Sequence, residues 1–125
     1  MATRDCPCGL PASYDECCGR LHRGPARALT AERLMRSRYS AYAVKDAAYL
    51  LKSWHSSTRP DQLGFERGLR WEGLEVVAVT GGSAVHTEGT VEFVARFSRR
   101  GQSGEMRETS RFVREAGEWV YLDGK

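Results

Sequence analysis

The stretch TVEFVARFS, residues 90–98, alternates along its length: Val91, Phe93, Ala95 and Phe97 fall on one face and Glu92, Val94 and Arg96 on the other. A period of two is the mark of a strand with one buried face. Working outward, Arg99 to Gly104 carries two glycines and reads as a hairpin loop. EMRETSRFVRE (105–115) then reads as a strand with Met106 and Phe112 on one face, and Gly117 turns the chain into WVYLDG (119–124). Upstream, WEGLEVVAV (71–79) reads as a strand closed by Gly81-Gly82. The pattern predicts an antiparallel meander of four strands.

Before the meander the period changes. Thr30 is placed to cap a helix, with Glu32 in the first turn where a carboxylate suits the helix dipole. LMRSRYSAYAV (34–44) sets Leu34, Met35, Tyr39 and Tyr42 near one face at steps of three and four, with Arg36 at the edge of that stripe. Asp46 is placed to cap a second helix, AAYLLKSW (47–54), with Leu50 and Trp54 on one stripe. His55 to Pro60 is a loop, and Asp61 can cap a third, short helix, QLGFERGL, which its two glycines weaken. HRGPARAL (22–29) reads as a linker. Helices followed by an antiparallel sheet make an α+β domain.

The chain has 125 residues, 41% hydrophobic and 28% charged, with a net charge of +3. That is one domain's length, with enough apolar residues for a core. No apolar run is long enough to span a bilayer. Met1 to Asp5 holds no apolar leader segment, so a cytoplasmic protein is expected. The mild positive charge permits attraction to polyanions without demanding it.

All four cysteines lie within CPCGLPASYDECC: Cys6, Cys8, Cys17 and Cys18. Three disulfide pairings exist for four cysteines, but a cytoplasmic setting keeps thiols reduced. Four small buried hydrophobes is a second reading. A structural zinc ion explains the clustering best, because zinc takes four tetrahedral ligands and favours thiolates from two short chelating pairs. His22, four residues past Cys18, is an alternative fourth ligand or a hydrogen-bond donor to the site. Four thiolates leave no open position, so the metal is expected to hold a flap together rather than to catalyse.

CPCGLPASYDECCG resembles the SEC-C zinc motif in its cysteine spacing and in Tyr14. It departs at Leu10, Pro11, Ala12 and Ser13, where the motif usually carries Ser-Gly and lysines. The resemblance implies the metal ligands but not the motif's basic face. LMRSRYSAY, SWHSSTRP, VARFS and ETSRFVREAGEWVYLDG, in that order, resemble the YchJ family of bacterial proteins. That resemblance implies a SEC-C-like zinc-binding motif over residues 1–24 and a nuclear transport factor 2-like domain over 28–125, with helices packed on a curved sheet to form a cone. Many members carry a second SEC-C motif at the C-terminus. This sequence runs to Asp123-Gly124-Lys125 without one, so a role needing two knuckles is not expected.

A cone invites a ligand. Arg36, Tyr39, Trp54, His55 and Arg111 are the candidate pocket residues. His55 has the intrinsic pKa of a general acid–base and could work with Asp46 or Asp123. Arg36 and Arg111 could clamp an anion, or pair with Glu92, Glu108 or Glu118 across the sheet. Tyr39 and Trp54 suit the core as well as a cage. His86 follows a Gly-Gly turn and is expected in solvent. No phosphate loop or dinucleotide fingerprint is present. Three functions compete. An adaptor would present its knuckle to a protein partner and hold a small ligand or peptide in the cone, with a homodimer through the open sheet face as a further option. An isomerase or dehydratase would need a carboxylate or histidine inside the cone. Nucleic-acid binding would use Arg20, Arg23, Arg27, Arg33, Arg36 and Arg38 as one stripe, which the low net charge argues against.

Overall fold

The computed structural model describes residues 5–125. Of the N-terminal stretch read above for a leader, all but Asp5 lies outside the described residues. Three helices, α1 (Cys18–Arg23), α2 (Ala31–Val44) and α3 (Ala47–Lys52), precede four strands, β1 (Leu69–Gly81), β2 (Glu88–Arg99), β3 (Gln102–Glu115) and β4 (Glu118–Gly124). The strands form one antiparallel sheet in the order β1-β2-β3-β4. Register shifts between Trp71 and Gly73, between Val76 and Ala78, and between Arg111 and Phe112 interrupt the pairing. Bulges of this kind add twist. They curl the sheet around α2 into the expected cone.

The long helix forms where its cap lies: Thr30 Oγ1 accepts from Arg33 N at 3.1 Å. It ends at Lys45, in the left-handed region at φ 62°. Over half of α2 is buried, because it has neighbours on three sides. Leu34, Met35 and Tyr39 pack with Val91, Phe93, Ala95, Phe112 and Trp119 of the sheet. Ala41 joins Leu21, Tyr49 and Leu50 under α1 and α3. Ser37 and Ser40, both fully buried, are small enough to let other elements approach the helix closely.

Four sequence expectations are corrected. The segment after Asp61 is irregular, not a third helix, since Gly68 takes φ 77° and Gly64 adds backbone freedom just upstream. The second helix stops at Lys52, so Trp54 leaves the helical stripe and bridges to Tyr121 of β4 instead. A short helix, α1, starts at Cys18 and takes in the first two residues of the linker, His22 and Arg23. The hairpin loop shrinks to two residues, Arg100 (φ 52°) and Gly101 (φ 86°), and pairing resumes at Gln102. The turn at Ala116 and Gly117 has the same form. The alternation of 90–98 holds, with Val91, Phe93 and Ala95 buried on the cone side.

Candidate metal centre and cone cavity

The sulfurs of Cys6, Cys8, Cys17 and Cys18 all lie within 4.8 Å of one another, and all four side chains are buried. A tetrahedral zinc with sulfurs at about 2.3 Å sets sulfur–sulfur edges near 3.8 Å. Cys8 Sγ and Cys17 Sγ are 3.7 Å apart. The cluster can therefore hold a metal ion. Gly19 makes the fold of this knuckle tight: a Cβ there would lie 2.6 Å from Tyr14 O.

Four thiols this close share charge poorly. The Cys8 thiol is pushed up by its hydrogen bond to Cys18 and by burial. Burial, then the Cys18 charge, pushes up Cys17. Cys18 is pulled well down, because its sulfur accepts from Cys8, Ser40 and the Arg33 guanidinium. One thiolate forms at its neighbours' expense, as expected for like charges in one site. A central cation removes that conflict.

The knuckle is seated on α2. Arg33 Nη1 donates to Cys18 Sγ at 3.3 Å and Nη2 to Cys17 Sγ at 3.2 Å. Arg36 Nη1 donates to Cys8 O at 2.7 Å while its Nε holds Glu32 at 3.0 Å. Cys6 Sγ sits 3.4 Å from Ser40 Oγ. His22 is not arranged as a ligand. Its Nε2 lies 2.8 Å from Ser37 O, a carbonyl that can only accept, so Nε2 carries the proton. Its Nδ1 then accepts from Tyr14 OH at 2.6 Å. Both nitrogens are used to tie the knuckle's tyrosine to the long helix.

The open cone contains a cavity of about 260 Å³. Its walls are mostly aromatic: Tyr39, Tyr42, Trp71, Phe93, Phe112 and Tyr121. Two charged groups break that surface. Arg38 is only 6% exposed, with its guanidinium packed into the corner formed by the rings of Trp54 (4.8 Å) and Tyr121 (4.7 Å), which meet edge to face. Its Nη1 donates to Leu50 O and Ser53 Oγ. Burial pulls it down to about 10, so it stays charged at neutral pH, with no carboxylate among the described residues within 4.0 Å. Glu108, on β3, is the second group; its Oε2 accepts from Ser110 Oγ at 2.6 Å and Tyr121 OH at 3.4 Å.

Of the five pocket candidates, Tyr39 and Trp54 line this cavity. The other three do not. Arg36 faces the knuckle. His55 is on the outer rim, its Nδ1 against Ser57 and its Nε2 3.7 Å from Glu115, with neither Asp46 nor Asp123 beside it. Arg111 points away from the cone and grips Asp123 through two 2.6 Å bonds, rather than the glutamates first considered. The arginine stripe also disperses: Arg23 pairs with Asp15, Arg27 with Glu118, Arg33 and Arg36 turn to the knuckle, and Arg38 enters the cone. His86 is exposed, as expected. Sequence reasoning missed Arg33, Arg38 and Glu108 as site residues.

Comparison with known proteins agrees with this geometry. Residues 30–124 match the profile described as the YchJ middle NTF2-like domain. A UPF0225 protein of Streptomyces coelicolor is 54% identical over 125 residues, covering all of this chain and 98% of its own. The chain belongs to the YchJ family. Among other relatives, a UPF0225 protein of Xanthomonas oryzae is 50% identical over all of this chain and 97% of its own. The solution structure of a SEC-C motif containing protein from Rhodopseudomonas palustris superposes with a TM-score of 0.84 at 33% identity, covering 98% of both chains. The crystal structure of a SEC-C motif containing protein from Psychrobacter arcticus gives 0.78 at 31% identity, over 98% of this chain and 81% of its own. The family thus joins a SEC-C cysteine knuckle to a nuclear transport factor 2-like cone. Among the described residues, no helix is long and apolar enough to cross a membrane.

Proposed function

We propose that the protein is a non-catalytic binding module: the cone takes a small molecule, and a structural zinc ion held by Cys6, Cys8, Cys17 and Cys18 fixes the knuckle against α2. The observation that carries this reading is Arg38, a buried cation in the wall of an open aromatic cavity with no carboxylate within 4.0 Å among the described residues. Burying a charge without a direct ion-pair partner is costly, and Glu108 across the same cavity offsets it only at a distance, so the site gains when an anion arrives. The zinc assignment is supported by four buried sulfurs within 4.8 Å of one another, one pair of them 3.7 Å apart, close to the edge a tetrahedral zinc sets. When bound, zinc would supply cross-linking and charge neutralisation. Arg33 would offset the negative charge that four thiolates leave on the centre. The side of the knuckle turned to α2 is occupied, so any protein partner of the adaptor would meet its outer side.

The enzyme reading keeps one residue. Among the described residues Glu108 is the single carboxylate in the cavity wall, while His55, Asp46 and Asp123 lie elsewhere. The test is a small-fragment screen by ligand-observed NMR against the purified protein and against Met106→Trp. Met106 is a 37%-exposed wall residue where a large ring narrows the cavity. Fragments should bind the native chain and lose most of their signal with Met106→Trp, while the far-ultraviolet spectrum stays unchanged. Fragments that bind both proteins equally would place the site outside the cone and end this reading.

A further inference from the structure

We propose that the cone's ligand is a small flat carboxylic acid bearing a hydrogen-bond donor at the end opposite its carboxylate, an inference that rests on the ligand-binding reading above. The carboxylate sits on the free edge of Arg38 and the donor meets Glu108. Three observations lead there.

The first is the use of the guanidinium. Nη1 is spent on Leu50 O and Ser53 Oγ, both neutral acceptors. Nε and Nη2 have no hydrogen-bond partner among the described residues. They are not sealed in protein either, since the one sealed and unpartnered side-chain polar atom among those residues is Trp54 Nε1. The rings of Trp54 and Tyr121, nearly perpendicular to each other with centroids 5.2 Å apart, both pack against one side of the guanidinium. The Nε–Nη2 edge is thus left without a partner, on a side chain that lines the cavity. That edge is a planar two-donor fork, the shape that pairs with a carboxylate through two parallel bonds.

The second is Glu108. Its Oε2 is engaged by Ser110 and Tyr121, and its Oε1 has no partner among the described residues. A carboxylate in the same cavity repels a second strong negative charge, which disfavours a phosphate dianion. It asks instead for a hydroxyl or amine. The third is the body of the cavity. Tyr39, Tyr42, Trp71, Phe93 and Phe112 offer ring faces and edges, and about 260 Å³ suits one ring with its substituents.

The experiment titrates the purified full chain with four probes, 4-hydroxybenzoate, benzoate, 4-hydroxybenzamide and phenyl phosphate, following backbone amides by NMR. The expected order has 4-hydroxybenzoate tightest, about tenfold over 4-hydroxybenzamide and severalfold over benzoate, with shifts centred on Tyr39, Phe93 and Tyr121. Arg38→Lys keeps a charge but removes the fork, and should weaken 4-hydroxybenzoate about tenfold. Glu108→Met should erase its advantage over benzoate. If Arg38→Lys does not fold, the probe order on the native chain still decides. Equal binding of 4-hydroxybenzamide and 4-hydroxybenzoate would overturn the carboxylic-acid assignment and leave the cavity reading intact. Tighter binding of phenyl phosphate would overturn the role given to Glu108. No shift with any probe, the neutral one included, would overturn this inference and count against the cavity reading.

Discussion

Arg33 and Arg38 are five residues apart on one helix and do opposite work. Arg33 spends its charge on the sulfurs of Cys17 and Cys18, while Arg38 keeps its charge for the cavity. Residues that hydrogen-bond metal ligands tune the site: their loss typically costs about 10–100-fold in metal affinity. Arg33→Met should accordingly lower zinc affinity by about that range, measured by competition with a chromophoric chelator. An unchanged affinity would mean that the two N–H···S contacts do not bear on the metal. That the cysteines come together as one cluster able to hold a metal was legible in their spacing, two close pairs joined by a short loop. Arg33 and Arg38 were not, because a period in apolar residues says which face of α2 meets the core and nothing about which polar residue turns toward which neighbour. His55 and Arg111 misled for the same reason. Their residue types suit chemistry, but a rim loop and an outward strand position put them on Glu115 and Asp123.

Among the elements, α2 joins the two sites. Its N-terminal cap, its contacts with the knuckle and its cone-facing side chains lie within one 14-residue helix. Removing the cap with Thr30→Ala leaves Arg33 N unpaired and should cost about 1 kcal/mol of stability, read by urea denaturation. No loss would show that another group satisfies the amide. The existence of α2 and of all four strands could be read from periodicity and capping residues. The false third helix came from trusting Asp61 as a cap without an apolar stripe behind it. The missed α1 is short and is held by tertiary contacts of Cys18 and Leu21 rather than by its own sequence.

For the molecule as a whole, burial holds Tyr14, Tyr39, Tyr49 and Tyr121 above the ordinary tyrosine range, Tyr121 reaching about 12. A group whose folded value is raised gives stability that is complete below its unfolded value and is lost as pH rises through the folded one. Stability should therefore fall between about pH 10 and 12. Tyrosinate absorbance should lag free tyrosine over that window and then rise together with loss of the near-ultraviolet spectrum. A titration that follows free tyrosine from pH 10, with the fold intact, would contradict the burial of these rings. A closed metal knuckle and a cone that holds a ligand can be tested in one measurement: native mass spectrometry of protein purified without added metal, beside its Met106→Trp variant. The expected result is a mass of one chain plus one zinc ion in both, with a small-molecule adduct on the native chain that the variant lacks. A metal-free chain with four titratable thiols, and no adduct on the native chain, would contradict it.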